Sequence, residues 1–330
     1  MPDSRRTWLR RWGPRLLIGT LYGGLAVMLV MLGRKLEWNE VGEALDAMPA
    51  HNLFIAGLCS AACYACYAGY EILAARLGRV ALGKPTVATI GFASYALNMT
   101  LGATLGAVGL RLRAYSARGI GAGKVMSLVA FNLLTNWSGY LLVMGLVLIL
   151  QQSPAPATWP VSGIPLRMVG TALLALLVVY LVLCARHSDR TWTWRKLRFR
   201  LPALKMAGVQ LALSAPVWLL GAASLDMLLP EVPFDLLLVS LLASAMAGLV
   251  IRIPAGLGVM EATLIASLGP NVGHGPMLAA LLAYRCIHYL APLVAGLLVV
   301  LGLELQQRTQ RSTKAKARPE RPAPAQPCRA

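Results

Sequence analysis

"IRIPAGLGVMEATLIASLGP" (residues 251–270) breaks an otherwise smooth apolar sequence with Arg252, Pro254, Gly256, Gly258 and Glu261. A plain membrane-crossing helix has no use for such residues. Pro254 stops an incoming helix, and Gly256 and Gly258 permit the tight reversal that follows. A new helix is predicted to begin near Val259. About ten residues, 259–268, then remain; at ~1.5 Å per residue they cover ~15 Å of a ~30 Å hydrocarbon core. The stretch reads as the tip and short returning arm of a helical hairpin, 236–268, that enters and leaves the membrane on one side.

The surrounding sequence fixes which side. The chain has 330 residues, 57% of them hydrophobic and 13% charged. Several apolar runs reach the ~20 residues that cross a bilayer as helix. The fold class is therefore all-α and polytopic, and no contiguous polar region could form a soluble domain. The net charge of +18 comes from Lys and Arg at the ends of apolar runs and in the C-terminal tail. That distribution fits topology and attraction to anionic lipid. No interleaving of aromatic and basic residues marks a nucleic-acid surface.

Basic residues face the cytoplasm. The N-terminal segment 1–13, with Arg5, Arg6, Arg10 and Arg11, is placed there, followed by an uncleaved first span over 14–33. It leads outside to "EWNEVGEALDAM" (37–48), a short interfacial helix. Span 51–75 returns to Arg76, Arg79 and Lys84. Residues 86–110 are apolar enough to cross, yet Arg111, Arg113, Arg118 and Lys124 follow them. A hairpin entering from the cytoplasm removes that conflict, with Gly102, Gly106 and Gly109 suited to its turn. Span 125–150 goes out to a linker, 151–165, that lacks Lys and Arg. Span 166–185 comes in to the most basic loop, and span 206–226 goes out to acidic "LPEVPFD". The hairpin 236–268 then dips in from outside. Span 275–303 returns the chain to a basic cytoplasmic tail, 304–330, expected to be disordered.

The two halves, 14–150 and 166–303, share one plan with reversed direction. Each has three transmembrane helices plus one re-entrant helical hairpin, giving eight hydrophobic segments. Such inverted repeats are common in secondary transporters, whose sites lie where paired Gly/Pro-interrupted segments meet. "GAVGLR" (106–111) and "GLGVME" (256–261) are a faint echo of the repeat.

Buried charges mark candidate sites, because a charge at the bilayer centre costs at least ~2.5–3.5 kcal/mol. Arg252 lies at the outer tip, and Glu261 and Arg285 lie at similar depth. Glu261 is expected to meet Arg285 or Arg252. The contact reads either as a structural pair or as a site where Glu261 competes with an anionic headgroup for arginine. The free N–H groups of the helix starting near Val259 favour a phosphate, unless the turn contacts only protein. Arg111 and Arg113, two residues apart on a helix, point in different directions; at most one is expected to face the cavity while the other snorkels, and plain positive-inside bias is the alternative reading. Asn98 and Thr100 lie near the inner tip. For Glu71, Asn132, Thr135 and Asn136 the simpler expectation is hydrogen bonding between helices. His288 follows Arg285 by about one turn, which makes a proton role conceivable. Cys63 and Cys66 form a C-x-x-C without a second pair or a His cluster, so no metal or cofactor is expected. Walker, H-E-x-x-H and G-x-S-x-G motifs are missing from the sequence.

"SYALNMTLGATLGAVGLRLRAYSARGI" (94–120), "TNWSGY" (135–140), "IPAGLGVMEA" (253–262) and "AYRCIHYLAPL" (283–293) carry a family likeness. They resemble the transmembrane domain of lysylphosphatidylglycerol synthase/flippase proteins, and most closely the stand-alone bacterial members without the synthase domain. The resemblance covers roughly 14–303. It implies a flippase-like domain in the bacterial cytoplasmic (inner) membrane with both termini cytoplasmic. It maps family arginines onto Arg111, Arg113 and Arg285, the turn onto Pro254–Gly258 and the acidic residue onto Glu261. The expected function is translocation of an anionic or aminoacylated phospholipid between leaflets, with membrane phospholipids as partners, no catalysis and homo-oligomerisation left open. The alternative is an accessory or catalytic component of lipid or polyprenyl-carrier metabolism.

Overall fold

The structure, a computed structural model, describes residues 38–102, 104–151, 153, 159, 164–187, 191–194, 197–251, 258–269 and 272–316. The expected first span, the turn residues Arg252, Pro254 and Gly256 and the end of the tail lie outside the described residues. The described residues are helical almost throughout.

Helix α1 (Trp38–Asp46) occupies the acidic stretch expected to be a short helix. Leu45 and Met48 pack against the main core, and α1 lies on α10 (His274–Arg285). Helix α2 (Ala50–Leu77) ends at Gly78, whose N–H bonds the Ala74 carbonyl. Helix α3 (Lys84–Leu101) starts with Pro85 in its first turn, where a missing N–H costs nothing. It stops at Gly102, which takes φ +82°, a conformation that glycine adopts without a Cβ clash. The chain then reverses into a π-helical segment, Thr104–Leu110, continued by α4 (Arg111–Ser116). The two arms touch closely: a Cβ on Gly106 would sit 2.1 Å from the Asn98 nitrogen. The first hairpin is therefore a tight pair of helical arms.

Helices α5 (Ala122–Leu150) and α6 (Ile164–His187) follow. Between α6 and α7 (Leu204–Asp226) the basic loop forms a two-stranded antiparallel ribbon, β1 (Thr191–Trp194) and β2 (Leu197–Arg200), with Thr191 opposite Arg200. The ribbon departs from a purely helical expectation. Its cause is visible in "TWTW" and "LRFR", which alternate in polarity at the strand period.

The second hairpin has unequal arms. Helix α8 (Phe234–Ile251) has 18 residues and is long and apolar enough to cross a membrane. The returning α9 (Val259–Leu268) has 10 residues, too few for a crossing. The long first arm and short second arm match the hairpin read over 236–268. The run 236–251 has no breaker, so the helix continues until Pro254 is near. Helix α10 passes into a π-helical segment, Cys286–Leu290, and then α11 (Ala291–Lys316).

Among the described residues, six helices have the length and composition to span a bilayer: Ala50–Leu77, Ala122–Leu150, Pro165–His187, Leu204–Asp226, Phe234–Ile251 and Gly275–Leu303. Five of them coincide with spans read from the sequence. Helix α11 runs beyond residue 303, where the sequence reading placed a disordered tail. The segment "ELQQRTQRSTKAK" (304–316) consists largely of good helix formers, and no proline occurs before Pro319.

The main core joins α5, α7, α8, α9 and α10 through Leu225, Leu237, Leu242, Leu264 and Leu268, all fully buried. A second cluster holds the first hairpin between α2 and α5 through Leu73, Ile90, Tyr115, Val125 and Leu128. Both hairpins are thus packed among long helices.

Candidate functional site

Each hairpin is tied to a neighbouring helix by an ion pair, buried in the first hairpin and half-buried in the second. In the first, Glu71 on α2 is completely buried. Its Oε2 accepts from Arg111 Nε at 2.9 Å and from Asn132 Nδ2 at 2.6 Å, and Arg111 Nη2 lies 2.8 Å from it. Its Oε1 accepts the Tyr115 hydroxyl at 2.9 Å. Arg111 is 1% exposed and also lies over the Tyr95 ring at 5.0 Å. The arrangement gives a buried charge the several donors it needs. It fastens α4 to α2 and α5.

In the second hairpin, Glu261 Oε1 accepts from Arg285 Nε, as the sequence led one to expect. Glu261 Oε2 accepts the Gly258 N–H at 3.0 Å. Gly258 caps α9 with φ +80°, in the left-handed region. The Glu261 carboxylate therefore occupies the start of α9 that had been assigned to a phosphate. The Arg285 guanidinium lies 5.4 Å from the Tyr289 ring centre. Both side chains of this pair are 19% exposed, against 2% and 0% for Arg111 and Glu71.

A cavity of about 250 Å³ lies between the hairpins. Asn98 and Met99 at the end of α3 form one wall; Leu241, Ser244, Ala245, Gly248 and Met260 of α8 and α9 form another. Tyr67 of α2, Asn136 of α5, Trp218 of α7 and Tyr284, His288 and Tyr289 complete it. Pro216 interrupts the hydrogen bonding of α7 just before Val217 and Trp218, which both face the cavity. The Val217 carbonyl accepts from Cys63 at 3.3 Å, so half of the C-x-x-C serves helix packing. The Trp218 indole donates to the Asn136 carbonyl at 3.2 Å.

Aromatic rings connect the two ion pairs. Tyr289 lies 5.7 Å from His288, His288 5.9 Å from Tyr64, and Tyr64 5.7 Å from Tyr67. Tyr67 stacks on Tyr95 at 4.1 Å, and Tyr95 carries Arg111. A π-helical segment holds His288 and Tyr289, a geometry found frequently at functional positions.

The expected site residues therefore separate. Asn98 lines the cavity, and Glu261, Gly258 and Arg285 gather at its margin. Arg111 is committed to Glu71 and Arg113 is exposed, so the expected difference in direction holds, yet neither lines the cavity. Arg252, Pro254 and Gly256 lie outside the described residues. The Glu71–Arg111 pairing and the aromatic lining were not anticipated. A signal for the lining existed: Tyr64, Tyr67 and Tyr70 recur every third residue, and Tyr284 and His288 are four apart.

Two bacterial proteins are similar to this chain. The inner membrane protein YbhN of Escherichia coli K12 is 33% identical over 319 residues, covering 96% of this chain and 100% of YbhN. The Synechocystis protein slr0712 is 29% identical over 266 residues, covering 78% and 81% of the two chains. The lysylphosphatidylglycerol synthase TM region matches residues 15–296. With that match spanning the helices, both hairpins and the cavity between them, the chain belongs to the lysylphosphatidylglycerol synthase TM-region family.

Proposed function

We propose that this multi-pass membrane protein translocates a phospholipid between the leaflets of a bacterial inner membrane. One observation carries the reading: the cavity takes its walls from both helical hairpins and from the long helices around them. A headgroup would occupy the cavity while its acyl chains stay in lipid. In this reading the two halves form an inverted repeat, the hairpins reach in from opposite faces, and both termini are cytoplasmic. Alternating access would then come from rocking one half against the other about a central site. The Glu261–Arg285 pair supports the assignment, because an arginine held by a partly open carboxylate can exchange that partner for a lipid phosphate. The activity is transport without chemical conversion.

The test is reconstitution into vesicles with leaflet-resolved lipid measurement. Faster redistribution of at least one of phosphatidylethanolamine, phosphatidylglycerol or cardiolipin than in protein-free vesicles is expected. Rates equal to the protein-free control for all three would overturn the reading.

A further inference from the structure

We propose that the β1–β2 ribbon is a docking surface for the bilayer leaflet beside it, with anionic phospholipid headgroups as its partner. The ribbon lies in the basic loop between α6 and α7, away from the cavity lining, and its role does not depend on lipid transport.

Backbone register sorts the ribbon into two unlike faces. Trp192 pairs with Phe199 and Trp194 with Leu197, so these four residues fall on one face. Thr191 pairs with Arg200 and Thr193 with Arg198, which fall on the other. One face is apolar with two indoles, and its opposite is polar and cationic. A two-stranded ribbon is marginal in water by itself. An apolar face of this composition is stable when something covers it.

Chain geometry limits what can do so. Helix α6 ends at His187, four residues before Thr191, and α7 begins at Leu204, four after Arg200. Both helices are long and apolar enough to cross a membrane. The 23 residues Pro165–His187 rise ~35 Å, little more than the ~30 Å hydrocarbon core. Four extended residues reach at most ~14 Å. The ribbon is therefore tethered at the headgroup layer and the water just beyond it.

Charge selects the leaflet's composition. Residues 186–205 hold seven Lys and Arg against one Asp. Cations beside a membrane are drawn to anionic lipid, and the attraction extends about a Debye length, ~8–10 Å. Tryptophan favours the same depth, where its ring meets hydrocarbon and its N–H meets water. A leaflet supplies both needs at once: hydrocarbon for the aromatic face and phosphates for the cations. Docked in this way, the ribbon pins the α6–α7 connection to one leaflet. It makes anionic lipid a ligand of the protein outside the cavity.

The test uses the full chain in nanodiscs of phosphatidylcholine alone or of equal parts phosphatidylcholine and phosphatidylglycerol. Amide hydrogen exchange is followed at 191–194 and 197–200. Exchange at least about tenfold slower in the anionic discs is expected, the scale of two or more cations at an anionic surface. The Arg195→Gln/Lys196→Gln/Arg198→Gln/Arg200→Gln variant should lose that protection. Quenching by lipids brominated high on their acyl chains locates the aromatic face. The difference between the parent and Trp192→Phe/Trp194→Phe should show both indoles quenched in anionic discs. Both variants are checked for folding by size-exclusion chromatography. Equal exchange in the two kinds of disc, or no quenching of these indoles, overturns the proposal. Equal protection in detergent and in both discs would mean that α5, which lies beside β2, covers the face, and overturns it as well. Protection that appears with soluble polyglutamate and not with phosphatidylglycerol assigns the surface to an acidic protein and excludes the leaflet.

Discussion

Replacing Glu71 by Gln tests the first hairpin's anchor with almost no change of shape. The carboxylate now serves Arg111 Nε and Nη2, Asn132 Nδ2 and the Tyr115 hydroxyl, at 2.6 to 2.9 Å. Glutamine offers one acceptor oxygen and turns an NH2 group toward one of those donors. Arg111, 1% exposed, would then keep its charge without a counter-charge. Removing one partner of a buried ion pair typically costs ~3–5 kcal/mol. For 330 residues at ~2.1 cal/mol/K each, the unfolding entropy is ~0.7 kcal/mol/K, so Tm should fall by ~4–7 °C. Intrinsic tryptophan fluorescence during a thermal ramp in detergent reads that shift. The Glu71→Leu/Arg111→Met double variant removes both charges and should recover more than half of the loss. A Tm within 1 °C of the parent for Glu71→Gln, or a double variant no better than the single, would refute the reasoning.

Three other outcomes follow from the geometry. Gly106→Ala should deplete folded protein on size-exclusion chromatography, because its Cβ would lie 2.1 Å from the Asn98 nitrogen; Gly123→Ala, with nothing within 4 Å, should be silent or slightly stabilising. Glu261→Gln should slow lipid transport several-fold, since it breaks the Arg285 pair, while its remaining oxygen can still accept the Gly258 N–H and hold α9. Arg118→Cys and Val272→Cys should label from opposite faces of sealed vesicles, the first from the cytoplasmic face; labelling from one face would invert half of the proposed topology.

Much of this architecture was readable because bilayers impose coarse rules. Length and hydropathy located Ala50–Leu77, Ala122–Leu150, Pro165–His187, Leu204–Asp226 and Gly275–Leu303 to within a few residues. The turn residues Pro254, Gly256 and Gly258 foretold a helix start near Val259, and similar depth pointed Glu261 to Arg285 or Arg252, of which the structure shows Arg285. Side-chain commitments were harder to read. Glu71 and Arg111 are 40 residues apart, and only the folded hairpin brings them together. Family resemblance placed Arg111 at a lipid site, whereas packing gave it a fixed internal partner. The cavity lining was obscure because tyrosines in apolar helices ordinarily signal core.

The difference in burial between the two ion pairs has a mechanical meaning. A dry pair with every oxygen engaged is expensive to separate, because neither charge can regain water as it leaves. A pair open on one side loses less, since solvent or a ligand replaces the departing partner as it moves. Glu71–Arg111 is of the first kind and Glu261–Arg285 of the second. The half of the molecule around Ala50–Leu77 would serve as a stator. The short arm Val259–Leu268, hinged on a left-handed glycine and released by one carboxylate, would be the part that swings.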